Sequence, residues 1–250
     1  MDTSTAAASG GPQDFYRALH QAFDATLARH PGRPALLDAL LGQAFDSFQG
    51  NVAIQCEDEP PLACHRGCAT CCTLRVTATT PEVLLVARFL RAVQPALRAR
   101  GIDLIGQLRA ANAGSQGLGE QERVGLRQVC PFIAQGVCVI YAVRPLACRG
   151  HASHDVKACV AAARGERDEV PYSAGHHLVR ALVQNAMQSA LRDAGLAWGS
   201  VEFNQALLLA LDQPEAEARW LSGEDVLAAA AVHEVPADEM AAVFDRLRPH

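Results

Sequence analysis

Eight of the nine cysteines in this 250-residue sequence fall into two groups whose spacing is suited to binding metal. The first group, in "CHRGCATCC", follows the pattern C-x3-C-x2-C-C, and the second is spread over a longer segment. In a reducing compartment, clustered thiols are more often metal ligands or redox groups than structural disulfides. We therefore predict these metal ligands: Cys64, Cys68, Cys71, Cys72, Cys130, Cys138, Cys148 and Cys159. The membership of Cys159 is left open, and the ninth cysteine, Cys56, lies outside both groups.

The spacing of the first group bears on how many metal atoms it binds. On an ideal helix the four positions would share one face, but the first and last would lie about 12 Å apart along the axis. Four sulfurs around one tetrahedral zinc lie only about 4 Å from one another, because Zn–S bonds are about 2.3 Å long. Either the segment bends into a loop, which Gly67 permits, or the thiols bind different metal atoms. The adjacent pair Cys71 and Cys72 favours a cluster or two sites over one mononuclear site.

A site shared by the two groups would join distant parts of the chain. Cys72 and Cys130 are separated by 57 residues, so a common metal would act as a structural clip as well as any functional centre. His151 and His154 lie within the second group. A ligand set this rich in thiolate needs no imidazole, and whether these two histidines bind the metal is left open.

Two arginines and two further histidines accompany the cysteines. Arg144 and Arg149 lie beside Cys148 in sequence, where a guanidinium either offsets thiolate charge or pairs with an acidic residue of the loop. His176 and His177 begin a predicted helix, and we expect them to be surface or packing residues.

The elements that must position these residues are predicted to be mostly α-helices. Half of the residues are apolar, aromatic residues make up only 5%, and strand-favouring runs are few. Apolar periodicity predicts helices over 13–30, 34–49 and 173–194, and shorter ones around 203–212, 213–221, 223–232 and 236–247. A further helix begins near Thr80 as N-cap with Pro81 in its first turn, and Pro95 is expected to end or bend it. The segment "NAGSQGLGEQE" is predicted to be an exposed connection, and the second cysteine group to be rich in loops.

The predicted domain organisation is simple. Residues 1–12 form a disordered tail, and 13–250 form a single helical domain around a loop-rich cysteine-cluster metal site, with the metal-binding region at 56–160. The net charge of −5 and the sequence pI of about 6.0 argue against a nucleic-acid partner. We expect no membrane segment, because no apolar run reaches roughly 18 residues, and the N-terminus lacks secretory features. These observations predict a cytoplasmic protein.

The motifs "CHRGCATCC" and "CPFIAQGVCVIYAVRPLACRGH" resemble the YkgJ-type cysteine-cluster family, also called the CxxCxxCC family. The resemblance covers residues 64–151 and implies a zinc- or iron-chelating site without implying a reaction. The related flagellin lysine methylases carry a similar cluster, associated with an iron–sulfur centre and S-adenosylmethionine, although this chain is shorter than we expect for those enzymes. The spacing C-x3-C-x2-C also matches radical S-adenosylmethionine enzymes. That interpretation is set aside, because Thr70 stands where those enzymes carry an aromatic residue and no alternating βα pattern occurs.

Three functions follow as hypotheses. The first is a cytosolic metal-binding protein that holds an iron–sulfur cluster or zinc, with the cluster favoured by the thiolate count and the adjacent pair. The second is an iron–sulfur, S-adenosylmethionine-linked enzyme that modifies protein side chains, which predicts an open coordination site and a cleft beside the cysteines. The third is a structural zinc module whose helices contact a protein partner, and Cu(I) is a further candidate metal. No Gly-rich phosphate loop, Ser-His-Asp signal or HExxH motif indicates another chemistry.

Overall fold

The computed structural model describes residues 11–167, 169–232 and 235–248, and it is mostly α-helical, as predicted. In these residues the helices are α1 Pro12–Arg29, α2 Ala35–Gln55, α3 Thr80–Arg98, α4 Leu104–Ser115, α5 Glu120–Leu126, α6 Leu146–Gly150, α7 Val156–Ala163, α8 Ala174–Asp193, α9 Phe203–Asp212, α10 Ala216–Leu221 and α11 Ala237–Leu247. The strands are β1 Thr77–Thr79, β2 Ile133–Ala134, β3 Val137–Cys138 and β4 Ser200–Glu202. The predicted tail lies outside the described residues except for Gly11 and Pro12, and Pro12 already begins α1.

Helix α8 lies at the centre of the packing and contacts α1, α2, α6 and α11. Its side chains at Val183, Ala186, Met187 and Ala190 are fully buried, and they join one apolar cluster that extends from α1 to α11. Ser173 caps the helix by accepting the N–H of His176, and Gly195 follows its end with φ +73°. The prediction of a long amphipathic helix over 173–194 is therefore confirmed.

Two short strands connect the region of the first cysteine group to the C-terminal helices. Strand β1 pairs antiparallel with β4, so that Thr77 lies opposite Glu202. Glu202 also accepts the N–H of Gln205, at 2.7 Å, as the N-cap of α9, and it forms a buried ion pair with Arg123 of α5, at 2.8 Å. The pairing places α3 against α9 and fixes where the chain leaves the cysteine loop.

Three local predictions about α3 and the connection after it need correction. The N-cap of α3 is Thr79 rather than Thr80. Of the two alternatives for Pro95, an end of the helix is wrong, because α3 continues to Arg98. Proline removes one hydrogen bond of the helix and crowds the preceding turn, but the residues after it can still form a turn. The N–H of Ala99 donates to the carbonyl of Pro95 at 3.2 Å. The segment predicted as an exposed connection contributes to α4 and α5, and only 116–119 joins them. Ser115 is buried, and its hydroxyl is satisfied inside the helix by donating to the carbonyl of Ala111 at 3.0 Å.

The helix predicted over 223–232 is also wrong. The segment forms only a 3-10 turn at Ala228–Ala230. Gly223, with φ +96°, ends the preceding helical segment, and the chain then returns to the short sheet. There the N–H of Val232 donates to the carbonyl of Ser200, at 2.9 Å, so pairing with β4 replaces helical hydrogen bonds.

Candidate metal centre

The first cysteine group lies in a loop of consecutive turns and not on a helix. The N–H groups of Cys68, Cys72 and Leu74 donate to carbonyls three residues earlier, at 3.0–3.1 Å. Gly67 has φ +88°, a left-handed conformation that glycine adopts without strain. Each turn redirects the chain, so the four thiols are not spread along a straight axis.

The second group is carried by a hairpin and a short helix. Cys130 precedes β2, and Cys138 ends β3, where it pairs with Ile133. Phe132 anchors this hairpin because it is fully buried, with its ring 5.8 Å from that of Phe203. Cys148 follows in α6, which packs on α8.

The two groups meet through their backbones. The N–H of Cys130 donates to the carbonyl of Cys72 at 2.6 Å, which bridges the 57 intervening residues. A Cβ added to Gly67 would lie 3.8 Å from the carbonyl oxygen of Gly136, at the tip of the hairpin. The loop of the first group therefore lies against the hairpin of the second.

The thiols of the second group are electrostatically linked to Cys71. Burial raises the pKa of Cys130 to about 11, and the charges of Cys138 and Cys71 contribute to that rise. Burial also raises the pKa of Cys148, with repulsion from Cys130, Cys138 and Cys71. A hydrogen bond with Cys72 and burial raise the pKa of Cys71. Without a cation these thiols favour the neutral form, so metal binding has to displace protons.

Cys64 is linked electrostatically to the remaining predicted ligands of the first group and to Cys159. Burial raises the pKa of its thiol, and the charges of Cys71, Cys68 and Cys159 add to the effect. The Cys64 sulfur also accepts the N–H of Ser153, at 3.4 Å. The charge of Cys71 raises the pKa of both Cys64 and Cys148. Cys71 therefore links the two groups, and the eight predicted ligands form one continuous region. Its members are all unpaired thiols.

Arg144 contributes positive charge near these thiols. Its guanidinium lowers the pKa of Cys138 and of Cys148, against the larger effect of burial. Arg149 instead donates to the carbonyls of Arg144 and Ala142, at 3.0 and 2.6 Å, and lies over the ring of Phe45. Arg149 thus fastens the turn before Cys148 and, like Arg144, interacts electrostatically with the Cys148 thiol.

The histidines near the cysteines contact aromatic and acidic side chains. His151 packs against Tyr172, with 4.6 Å between ring centroids, and burial lowers its pKa. The Nε2 atom of His154 lies 3.3 Å from a carboxylate oxygen of Glu59. His176 is buried and His177 is exposed, as expected of packing and surface residues.

A second polar cluster, formed by Cys56, Glu59, Ser173 and His176, was missed by the sequence analysis. Cys56 ends α2 and lies against the start of α8, with its sulfur 3.5 Å from the Ser173 hydroxyl. No spacing pattern could indicate this cluster, because these two residues are 117 positions apart in the sequence.

The donor set fits soft or borderline metals. Thiolates select zinc, Cu(I) and iron–sulfur clusters, and eight of them meet here from two segments of the chain. Among the described residues, no three of the eight cysteine sulfurs lie within 4.8 Å of one another, whereas Cys56, Glu59 and His176 do. The eight thiols are therefore more widely spaced than the ligands of a single zinc.

A mostly helical protein with a loop-borne, cysteine-rich metal centre is the class that this fold and site define. The family model of CxxCxxCC, described as "Putative zinc- or iron-chelating domain", matches residues 63–168. The resemblance seen in the sequence is thus confirmed over residues 63–168, and the matched segment also includes Cys159. Comparisons with curated proteins and with solved structures each returned no match.

Two cavities in the described part of the chain lie away from the cysteines. The larger, about 510 Å³, lies between α1 and the end of α8 and is lined by residues that include Asp24, Leu36 and Asp193. A smaller one, about 290 Å³, is lined by Gly114, Leu126 and Gln128. Neither is lined by a cysteine.

Within the described part of the chain, no helix combines the length and the apolar character needed to cross a bilayer.

Proposed function

We propose that this protein binds an iron–sulfur cluster through Cys64, Cys68, Cys71, Cys72, Cys130, Cys138, Cys148 and Cys159. The observation that supports this best is the hydrogen bond from Cys130 N–H to the Cys72 carbonyl, which joins the two cysteine groups. Repulsion of Cys148 by both Cys130 and Cys71 supports the same arrangement. Nine unpaired thiols suit a reducing compartment, so we also propose a cytoplasmic location.

The spread of the sulfurs favours a multi-metal centre over a single zinc. Ligands of one tetrahedral zinc lie about 4 Å apart. No three of these eight sulfurs lie within 4.8 Å of one another among the described residues. An iron–sulfur cluster distributes its thiolates over several iron atoms and supplies one-electron chemistry when bound.

The binding function and the enzymatic alternative differ in whether they require a cleft beside the cysteines. An S-adenosylmethionine-linked enzyme needs a cleft beside the cluster, and the two cavities described above are lined by no cysteine. A role in binding or transferring electrons needs no such cleft. The alternative in which zinc has a purely structural role is tested by the same experiment as the cluster.

The test is anaerobic purification of the full chain, followed by measurement of iron, zinc and acid-labile sulfide and a visible absorption spectrum. We expect a coloured protein with stoichiometric iron and sulfide. Cys148→Ser is expected to lose most of the iron, because it removes a ligand at the centre of the second group. Cys56→Ser is the matched control and should retain the wild-type iron and sulfide content.

A colourless protein with stoichiometric zinc and no acid-labile sulfide would exclude the iron–sulfur cluster. Equal iron loss in the Cys148 and Cys56 variants would show that the assignment of ligands is wrong.

A further inference from the structure

Three side chains with metal-ligating atoms converge outside the eight-cysteine region, where α2 ends and α8 begins. They are Cys56, Glu59 and His176, and their candidate ligand atoms all lie within 4.8 Å of one another. Cys56 and Glu59 lie before the segment that the family model matches, and His176 lies after it. The cluster therefore needs an explanation separate from that of the CxxCxxCC domain.

The separations within this cluster are those of ligands around one small cation. The Cys56 sulfur lies 3.4 Å from Nδ1 of His176. With Zn–S and Zn–N bonds of about 2.3 and 2.0–2.1 Å, a tetrahedral zinc places its sulfur and nitrogen ligands about 3.5 Å apart. One sulfur, one imidazole and one carboxylate are also ligand types that zinc accepts together.

The carboxylate is oriented by a partner on each side. One oxygen of Glu59 accepts the N–H of Gly175, at 2.8 Å, and the other lies 3.3 Å from Nε2 of His154. Partners of this kind fix metal-ligating carboxylates and raise affinity. A thiolate and a carboxylate would together neutralise a divalent cation, so the site could bind one with no net buried charge.

Close packing holds the three side chains together. A Cβ at position 175 would lie 2.5 Å from the Cys56 sulfur and 3.1 Å from a Glu59 oxygen, so only glycine allows this approach. His176 is buried, and its ring meets that of Phe48 edge-on at 6.1 Å. The imidazole is thus oriented by the core and not by solvent.

We propose that Cys56, Glu59 and His176 bind one zinc ion, with the fourth position taken by water or by the Ser173 hydroxyl. In the structure that hydroxyl lies 2.5 Å from Glu59, 2.7 Å from Nδ1 of His176 and 3.5 Å from the Cys56 sulfur, beside all three proposed ligands. The zinc ion would clip the end of α2 to the start of α8. The proposed zinc site lies directly before the loop of the first cysteine group. At the start of that loop the N–H of Ala63 donates to the carbonyl of Ser153 at 2.9 Å.

The site is tested on the full chain with its cysteine cluster reconstituted anaerobically, supplied with zinc and then freed of loosely bound metal. Cys56→Ala and His176→Ala are each expected to contain one zinc ion fewer per chain than wild type. Their iron and acid-labile sulfide should not change. Cys148→Ser should show the reverse, a loss of iron with the zinc ion retained.

Two further measurements keep the test decisive if a variant fails to fold. X-ray absorption at the zinc edge of the wild-type protein should show one sulfur together with nitrogen and oxygen neighbours. Ser173→Ala should retain its zinc, because all three proposed protein ligands remain and water can take the fourth position. If these side chains form only a hydrogen-bond network, neither the wild-type protein nor Ser173→Ala should contain this zinc ion.

The proposal is overturned if wild type and Cys56→Ala contain equal zinc, or if the zinc edge shows sulfur neighbours alone. Its failure is distinguishable from failure of the proposed function. If the eight cysteines hold zinc instead of iron, all of these proteins except Cys148→Ser gain the same amount of zinc. The one-ion difference between wild type and Cys56→Ala then remains.

Discussion

At the scale of single residues, Glu82 is the buried charge that connects the core to the metal centre. The side chain is fully buried, and burial raises its pKa. It accepts the N–H and the hydroxyl of Thr79, both at 2.8 Å, and the N–H of Leu146, at 2.6 Å. Leu146 begins α6, so this carboxylate fixes the turn that carries Cys148.

We predict that Glu82→Gln lowers the free energy of unfolding by about 1–3 kcal/mol, because an amide cannot accept all three hydrogen bonds. Glu122→Gln is a matched control. Glu122 makes the same kind of contact with the N–H of Gly119, at 2.8 Å, but on the surface. Glu122→Gln should lower the free energy of unfolding by less than about 0.5 kcal/mol. Urea unfolding of both variants gives the comparison, and equal costs would contradict the role assigned to Glu82.

Gly67 matters to the metal centre through its backbone. Its φ of +88° turns the chain between Cys64 and Cys68. We expect Gly67→Ala to strain the loop by roughly 1–2 kcal/mol. The variant should release metal faster when challenged with a chelator.

The control for Gly67→Ala is Gly50→Ala in α2. A Cβ at position 50 meets no other atom within 4 Å. Alanine in a helix is favoured over glycine by about 0.5–1 kcal/mol, so this variant should be slightly more stable and release metal at the wild-type rate. Similar release rates for the two variants would show that the left-handed turn is not required.

At the scale of elements, the ion pair between Arg123 and Glu202 joins α5 to the β4–α9 corner. The side chains are each only 9% exposed, so removal of one leaves the other charge buried without its partner. We predict that Arg123→Ala lowers stability by about 3–5 kcal/mol. Arg109→Ala breaks a pair with Asp212 whose side chains are about half exposed, and it should cost no more than about 1 kcal/mol. Thermal or urea unfolding distinguishes the two, and a small cost at Arg123 would contradict the prediction.

At the scale of the whole molecule, the helical core and the cysteine region have different sources of stability. Helix α8 is held by fully buried apolar side chains, whereas the loop from 61 to 76 has partly exposed residues and few regular hydrogen bonds. Segments with few buried contacts open at lower free energy than the core. Metal binding should therefore stabilise the cysteine region more than the helices.

Metal removal is expected to increase amide hydrogen exchange over 61–76 and 128–150, while the central amides of α1 and α8 remain protected. Hydrogen exchange followed by mass spectrometry on metal-loaded and chelated protein gives the comparison. Loss of protection in α8 to the same extent as in the loops would show that the metal is needed for the whole fold.

Much of the helical framework could be predicted because its signals are local. The apolar repeat Phe15, Leu19, Phe23 and Leu27 predicts α1, and Ser173 with Gly195 bounds α8. Prediction failed where tertiary contacts outweighed local preference. Residues 223–232 have a helical composition, but the N–H of Val232 bonds to Ser200 of a distant strand.

The sequence by itself determined the resemblance of residues 63–168 to the CxxCxxCC family and the arrangement of eight thiols in two groups, because thiol chemistry and residue spacing are properties of the chain. Only the tertiary structure decided how the groups meet and which charges face them. The bond between Cys130 and Cys72 and the position of Arg144 depend on a hairpin docking against a loop. The cluster of Cys56 and His176 likewise exists only because two helix ends converge, which no local pattern encodes.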